Sequence, residues 1–185
     1  MEQSIMYTIH STYFLVPLFV LFLLYLTVSA LWKKRPLHAG QYLILITFSI
    51  YLLCVIDLVF FPIDVNIGIY ANHTSWYKTI NFIPLLTIDI KTFVLNVIMF
   101  MPFGVYLPLL HKKIESLKSV AYYGFLFSLS IEILQMVIRI TLGNGRSTDI
   151  NDLIANTVGA LVGYIVIIRL LQRSHGNNLL NRIRL

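Results

Sequence analysis

Charge is what this sequence has least of. Asp, Glu, Lys and Arg together make up 12% of its 185 residues, about half the share found in soluble domains. That is too little polar material to cover a soluble core of this length, so a soluble enzyme and a disordered chain are both excluded. Cysteine is nearly absent as well. Cys54 stands alone inside an apolar run, which rules out an intramolecular disulfide framework. The histidines, His10, His38, His73, His111 and His175, fall outside the long apolar runs and at no metal-ligand spacing. No nucleophile elbow, phosphate loop, zinc motif or redox motif is present. The expectation is therefore no catalytic set, no metal and no cofactor.

Apolar residues fill the space that charge leaves: 58% of the chain is hydrophobic and the mean hydropathy is +0.80. Apolar runs long enough to cross a bilayer, about 17–25 residues, occur at 13–32, 41–61, 92–110, 119–142 and 150–171. The expected fold is all-α: one integral membrane domain over 1–185, a bundle of five transmembrane helices. The first 12 residues lack the basic start and cleavage site of a signal peptide, so the first run is expected to remain as a span.

The basic residues set the expected orientation. Lys33, Lys34 and Arg35 follow the first run, Lys112, Lys113 and Lys118 the third, and Arg169, Arg173, Arg182 and Arg184 the fifth. The opposite side carries only Lys78, Lys91, Arg139 and Arg146. The positive-inside rule then places the N-terminus outside and the C-terminus in the cytoplasm. The net charge of +6 is accounted for by topology and anionic lipid, without nucleic acid. The long outer segment, 63–91, holds Tyr70, Trp76 and Tyr77 and the short apolar stretch 81–86; it is expected to lie on or dip into the outer leaflet.

A charged group within a span costs about 2.5–3.5 kcal/mol on insertion scales, so each one needs a reason. Glu132, Gln135 and Arg139 follow at i, i+3 and i+7, as do Asp149, Asp152 and Asn156; each trio occupies one helical face. Asn96 sits early in the third span and Asp57 late in the second. With the orientation above, all of these groups fall toward the outer leaflet, and one shared outward-facing polar cavity is the economical expectation. Structural roles compete with that reading. Asp149 and Asp152 suit a helix N-cap and its first turn, Arg139 can reach the headgroups, Glu132 can clasp Arg139 or Asn96, and Asp57 suits an interfacial loop. Gly159 and Gly163, extended by Ala155, form a close-packing stripe that could also serve self-association. Pro102 and Gly104 are expected to open or bend the third span, and Gly143, Asn144 and Gly145 to form a tight turn.

The pattern N-x-x-x-F-x-P-x-G from Asn96 to Gly104 precedes Ser130-Ile131-Glu132-Ile133-Leu134-Gln135. Arg146, Asp149 and Asp152 follow, then Asn156-Thr157-Val158-Gly159 and Gly163. This ordered set resembles the VanZ-like family over residues 81–163. The resemblance implies a small multi-pass protein of the bacterial plasma membrane, linked to resistance against teicoplanin and related lipoglycopeptides. It implies a polar set of Asn96, Glu132, Gln135, Arg146, Asp149, Asp152 and Asn156, to which the helical-face argument adds Arg139. The first expectation is a non-enzymatic protein that binds an amphipathic ligand, either the lipoglycopeptide or a lipid-linked peptidoglycan precursor, among membrane lipids. A membrane enzyme modifying such a precursor, with Glu132 and Asp152 as an acid–base pair, is the alternative, and a small transporter is a second.

Overall fold

A computed structural model describes residues 4–32, 37–71, 74–81, 83–84, 86–145 and 147–173. Five helices dominate: α1 (Thr12–Trp32), α2 (Ala39–Phe60), α3 (Ile90–Leu110), α4 (Leu117–Leu142) and α5 (Ile150–Arg173). Each is long and apolar enough to cross a membrane. The described residues also form four short strands, β1 (Ile5–Ile9), β2 (Ile63–Ile67), β3 (Ile80–Asn81) and β4 (Thr148–Asp149), and two 3-10 turns.

Local chemistry accounts for the helix ends. Asp89 caps α3: its carboxylate accepts from the Thr92 hydroxyl at 2.5 Å and from the Lys91 N–H at 3.2 Å. These two bonds, the Thr92 hydroxyl first, hold its pKa below the usual carboxylate range. Ser116 caps α4 by accepting the Ser119 N–H at 3.2 Å. At the far end of α4, Gly143 takes the left-handed conformation, φ 69°, and returns its N–H to the Arg139 carbonyl.

α1 and α2 form a helical hairpin, so the chain before α1 and the chain after α2 emerge side by side. Those two segments pair as antiparallel β1 and β2, from Ile5 opposite Ile67 to Ile9 opposite Ile63. Part of the segment between α2 and α3 is thus ordered sheet, with Val65 buried at 1% exposure. Tyr70 and Tyr77 are exposed.

The centre of the bundle is the pair α3 and α5, which share its most extensive contact. They run parallel. Gly159 lies against the Val97 carbonyl and Gly163 against that of Met101, a four-residue advance on both helices. Gly104 makes the reciprocal approach to the Ala160 carbonyl. Small residues permit this close backbone contact. The stripe considered above for self-association is therefore filled by α3 of the same chain. Gly104 likewise closes a helix contact; α3 continues as one helix through Pro102 and Pro108. The Tyr51 hydroxyl donates to the Met99 carbonyl at 3.0 Å, close to Pro102, the kind of side-chain support that proline in a membrane helix calls for. Phe100, Phe103 and Phe127 pack as a ring cluster in the core with Val55, Val120 and Tyr164. α1 buries only Leu26 fully, half-buries Leu15, Phe19, Phe22 and Leu23, and turns most of its other apolar side chains outward.

Candidate functional site

The polar residues gather where the C-terminal half of α4 meets the first turns of α3 and α5. A two-residue parallel bridge, Ile80 opposite Thr148 and Asn81 opposite Asp149, pins the segment before α3 to the start of α5. It places the Asn81 carboxamide over the Asp149 carboxylate, donating from Nδ2 at 3.1 Å to each oxygen. Asp149 also accepts the Asn151 N–H at 2.8 Å, so the cap expected of it is present. The Asp149 N–H in turn donates to Glu132 Oε2 at 3.2 Å. Thr87 joins the group, its Oγ1 lying 2.5 Å from Asn81 Nδ2 and accepting from Asn151 Nδ2 at 3.4 Å.

One turn deeper, Asp152 Oδ1 accepts from Asn96 Nδ2 at 2.6 Å. Asn156 is buried below it, its Nδ2 donating to the Ser128 hydroxyl at 2.9 Å, while its Oδ1 has no partner among the described residues. Glu132 is 3% exposed, and Asp152 and Asp149 are both near enough to act on it electrostatically. Of the predicted residues, Asn96, Glu132, Asp149, Asp152 and Asn156 thus converge at one end of the bundle.

Gln135 and Arg139 go elsewhere. Gln135 Nε2 donates to the Val59 carbonyl at 3.1 Å, tying α4 to the last turn of α2. Arg139 lines a separate pocket beneath the chain after β2. Asp57 is exposed near the end of α2, away from this group, in a groove shared with α1. Arg146 lies outside the described residues, as do Lys33, Lys34, Arg35, Arg182 and Arg184. Among the described residues, the convergent group holds three carboxylates, Glu132, Asp149 and Asp152. Asn81, Thr87, Asn151 and Ser128 belong to it but were not singled out from the sequence. Only Asn81, a polar residue opening the short apolar stretch 81–86, carried a visible signal.

Above Glu132 is a cavity of about 330 Å³. Its surface is apolar: Leu129, Ile133, Met136, Ile150 and Leu153 form most of the wall, and Asn81, Thr148 and Glu132 line it through their apolar atoms. Ile133 is exposed, so the cavity reaches the lipid-facing surface of α4. Among the described residues, no group of three or more His, Cys, Asp or Glu could hold a metal ion. What the arrangement offers is an apolar recess with a buried carboxylate immediately behind its wall, where Glu132 accepts the Asp149 N–H.

These features define a small multi-pass membrane protein with a polar network buried between three of its helices. The chain belongs to the VanZ/LLP1 family, whose model matches residues 48–172. It is 34% identical to Protein VanZ of Enterococcus faecium over 116 residues, 62% of this chain and 67% of that protein. No solved structure matches it.

Proposed function

We propose that this protein contributes to resistance against teicoplanin and related lipoglycopeptides by holding an amphipathic ligand, the antibiotic or a lipid-linked cell-wall precursor, in the cavity above Glu132. The membrane is the bacterial plasma membrane, with the N-terminus outside, the C-terminus in the cytoplasm and the cavity in the outer leaflet. The observation that carries the reading is the nearly buried Glu132 carboxylate, beside Asp149 and Asp152, immediately behind the wall of an apolar recess. Apolar parts of the ligand would lie along Leu129, Ile133 and Met136, with an amine or hydroxyl directed at the carboxylates. The relationship to Protein VanZ supports the resistance role.

The test uses expression in a teicoplanin-susceptible bacterium. Glu132→Gln keeps an acceptor for the Asp149 N–H while removing the charge, and Asp152→Asn does the same opposite Asn96. Each should return the inhibitory concentration to that of the host while the protein remains in the membrane at normal levels. Full protection by both variants would refute the role of the carboxylates.

A further inference from the structure

A second cavity, of about 270 Å³, lies further along α4. Glu132, Ile133 and Met136 line the first cavity, Arg139, Ile140 and Gly143 the second. At about 100° per residue these positions share one stripe of the helix, and Glu132 and Arg139 are separated by about 10 Å of helical rise. The chain over α4 passes from one cavity to the other: Ala71 and Thr74 line the second, Ile80 and Asn81 the first. The two differ in lining: among the described residues the charged one is Glu132 in the first and Arg139 in the second.

We propose that the Arg139 cavity binds the phosphate of a membrane-lipid headgroup. Its chemistry is that of a phosphodiester site. The planar guanidinium can donate two parallel bonds to phosphate oxygens, and Asn66 and Thr74 add an amide and a hydroxyl to the lining. Asn66 is held in place from α4, with its Nδ2 3.4 Å from the Gly143 carbonyl. Thr141 spends its hydroxyl proton on the Val137 carbonyl at 2.8 Å, so its part is to shape the wall. Ile67 and Ile140 give the cavity apolar flanks against which the glycerol and first methylenes would rest. Depth agrees with chemistry. Arg139 stands in the last turn of α4, where a membrane helix leaves the hydrocarbon and an arginine meets the headgroup layer. The site is independent of whatever occupies the Glu132 cavity.

Calorimetry on the purified full chain in a nonionic detergent tests this directly, without a resistance readout. The probes are dihexanoylphosphatidylglycerol, inorganic phosphate and dihexanoylglycerol. Saturable binding of the phospholipid is expected, with none of the phosphate-free dihexanoylglycerol. Arg139→Gln should weaken that binding by about 10-fold or more, and Arg139→Lys by less, because an ammonium retains the charge but loses the bidentate fork. Equal binding by wild type and Arg139→Gln would overturn the site. Inorganic phosphate binding as tightly as the phospholipid would overturn the assignment to a lipid and leave a free-anion site. If Arg139→Gln does not yield folded protein, Ile140→Trp, at a position 55% exposed, obstructs the cavity with Arg139 intact. Wild-type affinity in that variant refutes the proposal.

Discussion

Substituting the α3–α5 glycines with alanine gives a graded test of how this bundle is held together. A Cβ added at Gly104 or Gly163 would overlap the backbone carbonyl of Ala160 or Met101 far inside any real carbon–oxygen contact. One at Gly159 would overlap the Val97 carbonyl somewhat less. At Gly124 the nearest atom is the Ala160 side-chain Cβ at 3.0 Å, and at Gly145 nothing lies within 4 Å. Backbone cannot step aside as a flexible side chain can, so relief at the first three sites requires α5 to move from α3 by roughly 1 Å, with a cost of about 1–3 kcal/mol each. The same movement strains the Asn96–Asp152 bond, which is 2.6 Å long, so ligand function should fall with stability. Unfolding midpoints in detergent should drop most for Gly104→Ala and Gly163→Ala, then for Gly159→Ala. Gly124→Ala should drop only slightly, and Gly145→Ala should match wild type. If Gly163→Ala and Gly145→Ala are equally stable, α3 and α5 are not packed backbone to backbone, and the placement of the polar site loses its support.

Two further outcomes follow from single contacts. Ser128→Ala removes the hydroxyl that accepts from buried Asn156, leaving its carboxamide without that bond at a cost of about 1–3 kcal/mol. Adding Asn156→Leu should recover much of that loss in a double-mutant cycle, and an additive cycle would refute the coupling. Asp89 has a folded pKa lowered mainly by the Thr92 hydroxyl and then by the Lys91 N–H. Its contribution is therefore complete above its unfolded value near 3.8 and is lost as pH falls through the lower folded value. Acid unfolding curves of wild type and Asp89→Asn should converge at the lowest pH; a constant gap down to that pH would contradict the cap.

Much of the architecture was legible because a bilayer imposes a length and a polarity on whatever crosses it. The runs at 41–61 and 119–142 correspond to α2 (Ala39–Phe60) and α4 (Leu117–Leu142) within two residues at each end. Asp152 and Asn156 of the i, i+3, i+7 trio face inward from α5, bonded to Asn96 and Ser128, while Asp149 caps the helix from the position before it. The strand pairs were not legible. Ile5–Ile9 and Ile63–Ile67 are separated by the whole α1–α2 hairpin, and only the proximity of that hairpin's ends makes them partners.

By itself the sequence determined the class of protein, its five spans, the small-residue stripe of α5 and the set of polar residues too costly to bury without partners. Hydropathy and spacing are properties of single segments, and each of these conclusions needs nothing more. Only the tertiary structure decided which members of that set meet. Glu132, Gln135 and Arg139 share a stripe of α4, yet their surroundings come from other elements: the start of α5, the end of α2 and the segment after β2. A helical face specifies a direction, and what lies in that direction depends on how separate helices pack. That is why residues on one stripe of α4 take part in a buried carboxylate cluster, an interhelical tie and the lining of a separate pocket.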